Sequence, residues 1–433
     1  MRIAWLGPTP NLEGGAPYVG TQLLRELVRA GAKVDCFLDV GPDQIPPPLR
    51  GLDGLRFVLR PTSWQWDRWY NRTPMSAFVS GNMFRLHAHN ELARSIAARH
   101  AAAPYDVVYQ FSRNELGQLA RLLGALPPIV VHPSTHAAGE LRWYRREAPL
   151  ARRIEPRSRR LLVQSVLRLR ASIQRRDLAR VDRILAISHR FADHLAADYL
   201  IPGERIGIVP NPIDLDRFRP GPRSVQPVAP VKLLFVSRIA VRKGVELIVD
   251  LSHRLADLQG KVEIVVIGSR STWSDYRKLL DGLNPRLARY RGGAQPEELA
   301  ALYREAVAVL QPSHYEPFAL TVGEALAAGT PVIASDEVGA VEGVDRRVCA
   351  VFPRGDRAAF EQAVRAAVAD VSTAERQAVA DLAHAEAGRL YAPATVAERL
   401  LEELERVCPP KPGPAPVRRP RAPARPIAAG PAG

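Results

Sequence analysis

The first half of the chain alternates short apolar runs with longer segments of helical periodicity. Short runs rich in β-branched and aromatic residues are typical of strands. The strand candidates are Arg2–Leu6, Ala32–Leu38, Leu55–Leu59, Asp106–Phe111, Pro128–His132 and Arg183–Ile187. The helix candidates between them are Ala16–Ala30, Leu86–His100 and Glu115–Leu123. This alternation predicts βαβ units and a parallel sheet whose strands are buried on both faces.

The alternation begins again after Pro210–Gln226, a segment rich in Pro, Asp and Arg that we interpret as an interdomain linker. The strand candidates beyond it are Lys232–Ser237, Val262–Ile267, Ala306–Gln311, Pro331–Ala334 and Val348–Phe352. The helix candidates are Val245–Leu258, Pro296–Arg304, Pro317–Ala328, Ala358–Ala369, Thr373–Leu390 and Pro393–Val407. The second half therefore repeats the α/β architecture of the first.

A chain of 433 residues suits two domains of about 200 residues each. We predict an N-terminal α/β domain over 1–209, the linker at 210–226 and a C-terminal α/β domain over 227–390. A helix in 391–408 is expected to pack back on the N-terminal domain. The tail at 409–433 has nine prolines in 25 residues and is expected to be disordered. Two open α/β domains predict a ligand cleft between them, at the carboxyl ends of the strands.

The net charge of +15 is concentrated in two places. The segment Arg142–Arg183 has 14 Arg and four acidic residues, and the tail adds five basic residues and no acid. The rest of the chain is balanced, which argues against a specific nucleic-acid partner. Within the basic segment, an apolar stripe at helical spacing comprises Leu162, Val166, Leu169 and Ile173.

Two interpretations of the Arg142–Arg183 segment stay open. It could contact an anionic membrane or bind a phosphorylated acceptor. It could equally be a solvated arginine face on a helix that packs on its own domain through the stripe.

Cysteine content and hydropathy narrow the cellular context. The three cysteines, Cys36, Cys349 and Cys408, lie far apart and predict neither a disulfide framework nor a metal site. No apolar run approaches the roughly 18 residues of a membrane span, and the N-terminal run is too short for a signal peptide. We expect a cytoplasmic protein, peripheral at the inner face of the membrane if the arginine segment binds lipid.

Two acidic residues accompany the helix predicted at Pro317–Ala328. Glu316 stands in the turn before it, and Glu324, after seven intervening residues, lies about two turns inside it. A helix N-terminus presents unpaired N–H groups and a partial positive charge, which suits a phosphate. Acids on both sides of such a site suit a ligand with hydroxyls on both sides of a diphosphate, such as a nucleotide sugar.

Cations and glycines follow the first strand of each domain. Arg238 and Lys243 come after Lys232–Ser237 and before Gly244, where they could clamp a diphosphate or simply face water. Gly14–Gly15 precedes the first helix, where it could admit an anion to the helix N-terminus or serve as a flexible turn.

The motifs Ser237-Arg238-Ile239-x3-Lys243-Gly244 and Glu316-x7-Glu324 closely resemble the retaining glycosyltransferases of family 4 (glycosyl transferases group 1), which have the GT-B fold. The opening GGAPYVGTQLLRELVRAGAKVDCF resembles the family's glycine loop, first helix and second strand. IVPNPIDLDRFRP resembles its interdomain connector, although Pro212 stands where the family more often has Gly. The resemblance covers about residues 1–407 and implies two Rossmann-like domains facing across an interdomain cleft.

The resemblance also implies roles for individual residues. Arg238 and Lys243 would hold the donor diphosphate and stabilise the leaving nucleoside diphosphate. Glu316 would contact sugar hydroxyls, and Glu324 would accept hydrogen bonds from the ribose. The backbone amides near the diphosphate would be those of Phe318, Ala319, Leu320 and Thr321.

The remaining implied contacts come from both domains. Gly15 would approach a phosphate from the N-terminal domain, and Gln295, in the turn 293–295, would lie beside the nucleobase. His132 would lie near the reacting sugar, with His136 as a competing candidate. A candidate lining of the acceptor cleft, or alternatively a core cluster, comprises Trp64, Trp66, Trp69 and Tyr70.

The implied activity is transfer of a hexose-type sugar with retention, from a nucleotide diphosphate sugar to an unidentified acceptor. UDP is favoured over GDP, no cofactor or metal is required, and the acceptor is a glycolipid, a polysaccharide or a small molecule. Tyr109-Gln110-Phe111 stands where the family often has His-x-His, which puts the acceptor analogy in doubt. The alternatives are a phosphorylase or epimerase of the same fold, and a non-enzymatic polyanion-binding module.

Overall fold

The structure, a computed structural model, describes residues 1–61, 89–152, 155–221, 229–271, 275–369 and 376–408. The aromatic cluster predicted at Trp64–Tyr70, the start of the helix predicted at Leu86–His100 and the tail at 409–433 lie outside the described residues. So do the last part of the predicted linker and the first residues of the helix predicted at Thr373–Leu390.

Seven parallel strands form the N-terminal sheet, in the order β3-β2-β1-β4-β5-β6-β7. They are β1 (Arg2–Leu6), β2 (Lys33–Leu38), β3 (Leu55–Leu59), β4 (Val107–Phe111), β5 (Ile129–His132), β6 (Arg183–Ala186) and β7 (Ile206–Ile208). Helices on its two faces are α1 (Gly15–Arg29), α2 (89–102), α3 (Leu119–Leu122), α4 (Ala137–Arg146), α5 (Ala148–Ala151), α6 (Arg157–Leu178) and α7 (His189–Tyr199).

Six parallel strands form the C-terminal sheet, in the order β10-β9-β8-β11-β12-β13. They are β8 (Val231–Val236), β9 (Val262–Ile267), β10 (Ala288–Tyr290), β11 (Ala306–Gln311), β12 (Val332–Ser335) and β13 (Cys349–Phe352). The helices that follow are α8 (Val245–Arg254), α9 (Pro296–Glu305), α10 (Leu320–Ala327), α11 (Arg357–Ala369), α12 (Arg376–Tyr391) and α13 (Pro393–Glu405). The predicted fold class, two parallel α/β sheets with flanking helices, is confirmed.

Two strands were missed, and several helix boundaries differ from the sequence predictions. Strands β7 and β10 were not predicted, because each has only three residues at the edge of its sheet, too few to show a pattern. The helix predicted at Glu115–Leu123 is helical only from Leu119 to Leu122, because Gly117 has a positive φ of 56° just before it. Helix α8 ends at Arg254, and a separate 3₁₀ turn covers Ala256–Leu258.

Helix α10 begins at Leu320 instead of Pro317. The carbonyl groups of Pro317 and Phe318 are used elsewhere, since they accept hydrogen bonds from the Ser188 hydroxyl at 2.8 Å and the Ala340 amide at 2.8 Å. Ala319 then has φ 80°, a left-handed conformation that starts the helix one residue later. Glu324 therefore lies about one turn inside the helix, and the prediction of two turns was wrong.

The chain returns to the N-terminal domain at its described end. Helix α13 packs on α1, where Val396, Leu400 and Leu404 join the apolar core around Trp5. Arg183 of β6 forms an ion pair with Glu403 of α13. None of the helices in the described part of the chain is long and apolar enough to span a bilayer.

Candidate active site

The loops that follow β8 and β11 lie against each other in the C-terminal domain. The carbonyl oxygen of Arg242 accepts hydrogen bonds from the amides of His314 at 2.9 Å and Tyr315 at 3.2 Å. Gly244 has φ 77°, and a Cβ there would lie 2.1 Å from the carbonyl oxygen of Pro312. Only glycine fits this approach, so the glycine that closes the SRIAVRKG motif is what lets the two loops meet.

This packing brings Lys243 and Glu316 together, although they are 73 positions apart in sequence. The Lys243 ammonium donates a hydrogen bond to the Glu316 carboxylate, and the two residues are only 9% and 8% exposed. Burial, with the nearby charges of Arg242 and Arg238, lowers the pKa of the Lys243 amine below its usual value. An anionic ligand would favour the charged form of this amine, so the site is suited to a phosphate.

The ends of β8, β9 and β10 form a surface next to this pair. Gly268, after β9, has φ 156°, and a Cβ there would lie 1.7 Å from the carbonyl oxygen of Ser237. The Gly268 amide donates to the carbonyl oxygen of Gly292 at 2.7 Å. Arg238 follows Ser237 and is exposed here, and exposed Gln295 precedes α9. Sequence reasoning missed Gly268, although a glycine directly after a strand was a usable signal.

The N-terminus of α10 offers unpaired donors. Among the described residues, the backbone amides of Phe318, Ala319, Leu320 and Thr321 have no hydrogen-bond acceptor. The Thr321 hydroxyl donates to the Gln311 side chain at 3.1 Å, and the Phe318 ring packs edge-on against Tyr391 with centroids 5.4 Å apart. These contacts fix the backbone, so the amides stay oriented as an anion site.

Glu324 lies on the inner side of α10 and is partly buried. Its Oε2 accepts a hydrogen bond from the Tyr303 hydroxyl at 2.9 Å. Burial raises the pKa of the Glu324 carboxyl to about 7, and the hydrogen bond from Tyr303 opposes that shift. This carboxyl therefore changes its charge near neutral pH, and a ligand that donates hydrogen bonds to it would favour the ionised form.

His132 does not reach the cleft. It is the last residue of β5 and fully buried, with Nδ1 2.6 Å from the Tyr109 hydroxyl and Nε2 3.0 Å from the carbonyl oxygen of Val209. Burial lowers the pKa of His132 to about 4, so the ring is neutral. The geometry does not support the predicted place beside a reacting sugar, because a residue still within the buried strand points into the packed interior.

His136 instead joins the two domains. It precedes α4 and is 1% exposed, with Nδ1 2.8 Å from the Tyr315 hydroxyl and Nε2 2.6 Å from Asp198. A Cβ at Gly139 would lie 2.6 Å from the Tyr315 hydroxyl, so glycine leaves the room for this contact. Because Tyr315 adjoins Glu316, His136 positions the loop that carries the acid.

The Gly14–Gly15 turn opens α1 in the N-terminal domain. Gly14 and Gly15 have φ 145° and 67°, and a Cβ at Gly15 would meet only Pro17, at 3.9 Å. Glycine is therefore required here for backbone conformation rather than for lack of space. The turn leaves room for a ligand at the helix N-terminus.

A partly open cavity lies between α4 and the loop after β8. Its lining residues are Glu140, Trp143, Tyr144, Glu147, Ala240, Arg242 and Ser271. The Glu147 carboxylate accepts a hydrogen bond from the Arg242 amide at 2.8 Å, and burial raises the pKa of Glu147. Trp143 stacks on His314 with ring centroids 5.3 Å apart. Sequence reasoning missed these residues, because α4 carries no motif that marks them.

Comparisons with known proteins agree with this geometry. Residues 13–217 match the family model described as Glycosyltransferase Family 4, and residues 230–370 match that of Glycosyl transferases group 1. A D-inositol 3-phosphate glycosyltransferase from Geodermatophilus obscurus is 30% identical over 377 residues, covering 82% of this chain and 78% of that protein.

Solved structures show the same fold at lower identity. Sucrose-phosphate synthase from Thermosynechococcus elongatus has a TM-score of 0.65 at 19% identity, covering 94% of this chain and 98% of its own. Anabaena HepE, solved in complex with UDP, has a TM-score of 0.61 at 17% identity, covering 94% of this chain and 100% of its own. The chain belongs to the family 4 glycosyltransferases (glycosyl transferases group 1) and has their GT-B fold.

Proposed function

We propose that this glycosyltransferase moves a hexose-type sugar from a nucleoside diphosphate sugar to an acceptor hydroxyl, with retention of anomeric configuration. The observation that carries the proposal is the buried Lys243–Glu316 pair beside the unpaired amides of Phe318–Thr321. It combines a cation, a carboxylate and a helix N-terminus within one site. A diphosphate with a sugar attached needs all three.

The donor diphosphate would bind between Lys243, Arg238 and the α10 amides. On binding, the Lys243 ammonium exchanges the Glu316 carboxylate for a phosphate oxygen, and Glu316 becomes available to the sugar hydroxyls. Negative charge grows on the diphosphate as the glycosidic bond breaks. Donors already fixed around that position stabilise the transition state more than the ground state.

The nucleoside would lie across α10 and the loop after β10. Glu324 would accept hydrogen bonds from the ribose hydroxyls, and Gln295 would lie beside the base. Gly15 would approach a phosphate from the opposite domain. UDP is the preferred nucleotide, which is supported by the binding of UDP and UDP-glucose to Anabaena HepE.

Transfer with retention needs a proton acceptor on the leaving group's side of the sugar. We propose that a diphosphate oxygen of the donor takes the acceptor proton while the acceptor oxygen bonds to the anomeric carbon and the bond to the diphosphate breaks. The products are the glycosylated acceptor and the protonated nucleoside diphosphate. His132 takes no part, because both its nitrogens are bonded in the interior.

Metal independence is part of the proposal. Arg238, Lys243 and the helix N-terminus supply the positive charge that a divalent cation supplies in other transferases. Transfer activity is therefore expected to survive EDTA, and loss of activity that Mg²⁺ or Mn²⁺ restores would refute this point.

The donor class can be tested by thermal unfolding with UDP-, GDP- and ADP-sugars. A donor at about 100 times its dissociation constant should add about 2.7 kcal/mol to the free energy of unfolding. We expect the largest stabilisation with a UDP-sugar. Stabilisation by none of the three classes would overturn the proposal.

Product analysis with a radiolabelled donor separates the alternatives. A transferase passes the label to an acceptor hydroxyl. NMR of the product then shows whether it keeps the anomeric configuration of the donor. A phosphorylase returns sugar 1-phosphate and an epimerase returns a changed nucleotide sugar. A polyanion-binding module consumes no donor at all.

A further inference from the structure

Helix α6 packs on the N-terminal domain through one row of side chains. Val163 and Leu167 join Leu141 and Tyr144 of α4 in a small apolar cluster, and Gln174 accepts a hydrogen bond from the Ala137 amide at 2.9 Å. The buried positions of the helix are Val163, Leu167, Gln174, Asp177 and Leu178. The predicted stripe of Leu162, Val166, Leu169 and Ile173 is therefore not the buried row, which lies one residue further along the chain.

Because the buried row is not the predicted stripe, three leucines lie on the outer side of the helix. Leu161, Leu162 and Leu169 are 55%, 39% and 64% exposed. Within the described ranges only six large hydrophobic side chains are exposed, and three of them lie on this one helix. Single exposed leucines need no explanation, but a concentration of them on one helix face is typical of an interaction surface.

Exposed arginines flank these leucines. Arg157, Arg168 and Arg175 are exposed, and no ion pair holds them among the described residues. Leu161, Arg168 and Arg175 follow one another at seven-residue spacing, so they run along a single side of the helix. We name the surface formed by these three arginines with Leu161, Leu162 and Leu169 the α6 outer face.

Acidic groups are absent from the outer face itself. The helix Arg157–Leu178 has one acid, Asp177, which is 1% exposed and accepts a hydrogen bond from the Leu116 amide at 2.9 Å. Two other arginines of the predicted segment have an acidic partner within the protein, Arg142 with Asp198 and Arg170 with Glu115. Arg157, Arg168 and Arg175 instead present their charge outward, together with the leucines.

We propose that the α6 outer face docks on the surface of an anionic lipid bilayer. Guanidinium groups complement lipid phosphates, and leucines between them can enter the boundary between headgroups and acyl chains. A helix of 22 residues is about 33 Å long, so it can lie along the membrane plane over several turns. A second copy of the same face would bring like charges together, and nucleic acid would use the arginines but not the leucines.

Helix α4 lies between α6 and the cleft. One side of α4 packs on α6, and the other lines the cavity beside Ala240 and Arg242. Docking through the outer face would therefore leave α6 and α4 between the bilayer and this cavity. The docking itself does not depend on the transfer reaction, so it can be tested without knowing the acceptor.

The test is sedimentation of the full-length protein with vesicles. Vesicles of phosphatidylcholine with about one-third phosphatidylglycerol are compared with phosphatidylcholine alone, at about 50 mM and about 500 mM salt. We expect binding to the anionic vesicles at low salt, strongly reduced binding at high salt, and none to the neutral vesicles. Absence of binding to anionic vesicles at low salt would overturn the proposal.

Two variants separate the apolar from the electrostatic contribution. Changing Leu161, Leu162 and Leu169 together to Ser should lower the partition coefficient onto anionic vesicles by on the order of 100-fold. Changing Arg157, Arg168 and Arg175 together to Ser should lower it by a similar factor. The leucine control is Leu200→Ser, at a 69% exposed position directly after the end of α7. The arginine control changes three exposed residues of the C-terminal domain, namely Arg286, Arg289 and Arg346. Both controls should bind like the wild type.

Each alternative to a bilayer at the α6 outer face predicts a different result, and each such result would overturn the proposal. Binding that persists in both α6 variants but disappears when the five basic residues of 409–433 become Ser would assign it to the tail. A lipid-free dimer that becomes a monomer with the leucine variant, and binds no vesicles, would show that a second copy covers the face. If the protein binds heparin but not vesicles, and the leucine variant binds heparin as well as the wild type does, the face is a general polyanion site.

Discussion

The two halves of the cleft are built in different ways, although each is a parallel sheet with helices on both sides. On the C-terminal side, shared backbone hydrogen bonds join two loops and place Lys243 against Glu316. On the N-terminal side, the Gly14–Gly15 turn is open, and His132 is enclosed with both nitrogens bonded. The groups suited to a diphosphate are thus assembled on one domain.

The N-terminal half acts mainly through position. His136 contacts Tyr315, which precedes Glu316, and Ser188 binds the carbonyl oxygen of Pro317 just after it. Both contacts orient the acid-bearing loop from the other domain without offering a charge of their own to a ligand. The difference teaches that charge and positioning can be divided between two domains of the same architecture.

The largest effect is expected at the C-terminal side. Lys243→Ala should lower kcat/KM for the donor by about 10³-fold, because it removes the buried cation that faces the leaving diphosphate. Steady-state kinetics with the best donor from the thermal screen measures this effect. The matched control is Lys232→Ala in the same domain, where a partly exposed lysine pairs with Glu305, and it should stay within about twofold of wild type. Equal activity of both variants would contradict the proposed role of Lys243 and the division of roles between the two domains.

The second effect is expected in stability on the N-terminal side. His132→Ala should lower the free energy of unfolding by about 3 kcal/mol, since it leaves a cavity and strips the Tyr109 hydroxyl and Val209 carbonyl of their partner. The kcat of the folded fraction should hardly change. Urea unfolding and kinetics on the same preparation measure both, with exposed His253→Ala as control. A large fall in kcat at unchanged stability would instead show that His132 acts in the active site.

The same histidine predicts how stability varies with pH. Burial lowers the pKa of His132 from 6.5 to about 4, so between these values the unfolded chain binds a proton that the folded protein does not. Its contribution to stability is therefore present above pH 6.5 and is lost as the pH falls toward 4. The wild type should lose stability more steeply than His132→Ala across this range, and parallel curves would contradict the assignment.

A smaller effect concerns Glu324 and donor affinity. Its pKa is raised to about 7, and ribose hydroxyls donate to the ionised form, so donor binding should release a proton. Affinity for UDP-glucose should rise by up to about tenfold from pH 6 to pH 8 and then level off. Calorimetric titration measures this, and Glu324→Gln should bind more weakly with a flat profile. An affinity that falls with pH would refute the ribose role.

The smallest effect is expected at the start of α10. Ala319 has φ 80°, where an alanine is strained and a glycine is not, so Ala319→Gly should stabilise the protein by about 0.5 kcal/mol. The control Ala366→Gly, at an exposed position within α11, should destabilise it by about 1 kcal/mol. Thermal unfolding distinguishes the two. Destabilisation by both would mean that the left-handed conformation carries no strain.

Local pattern was sufficient for much of this protein. Strands such as β1, β9 and β11 are buried on both faces, so their apolar runs marked them without knowledge of their neighbours. The edge strands β7 and β10 lack such a run and were missed. Arg238, Lys243, Glu316 and Glu324 were predicted as site residues because their spacing in sequence, together with the strands and helices around them, resembles a known family.

Contacts between distant residues decided the rest. The start of α10 depends on hydrogen bonds from Ser188 and Ala340, and the pKa of Glu324 depends on burial next to Tyr303. Whether a histidine at a strand end faces a cleft or the interior depends on what packs over it. The sequence by itself predicted the candidate site residues of the C-terminal domain and most of the strands, because those signals are local. Only the tertiary structure decided that Lys243 meets Glu316, that His132 is enclosed and that α6 turns its leucines outward, because burial and facing depend on residues far away in the chain.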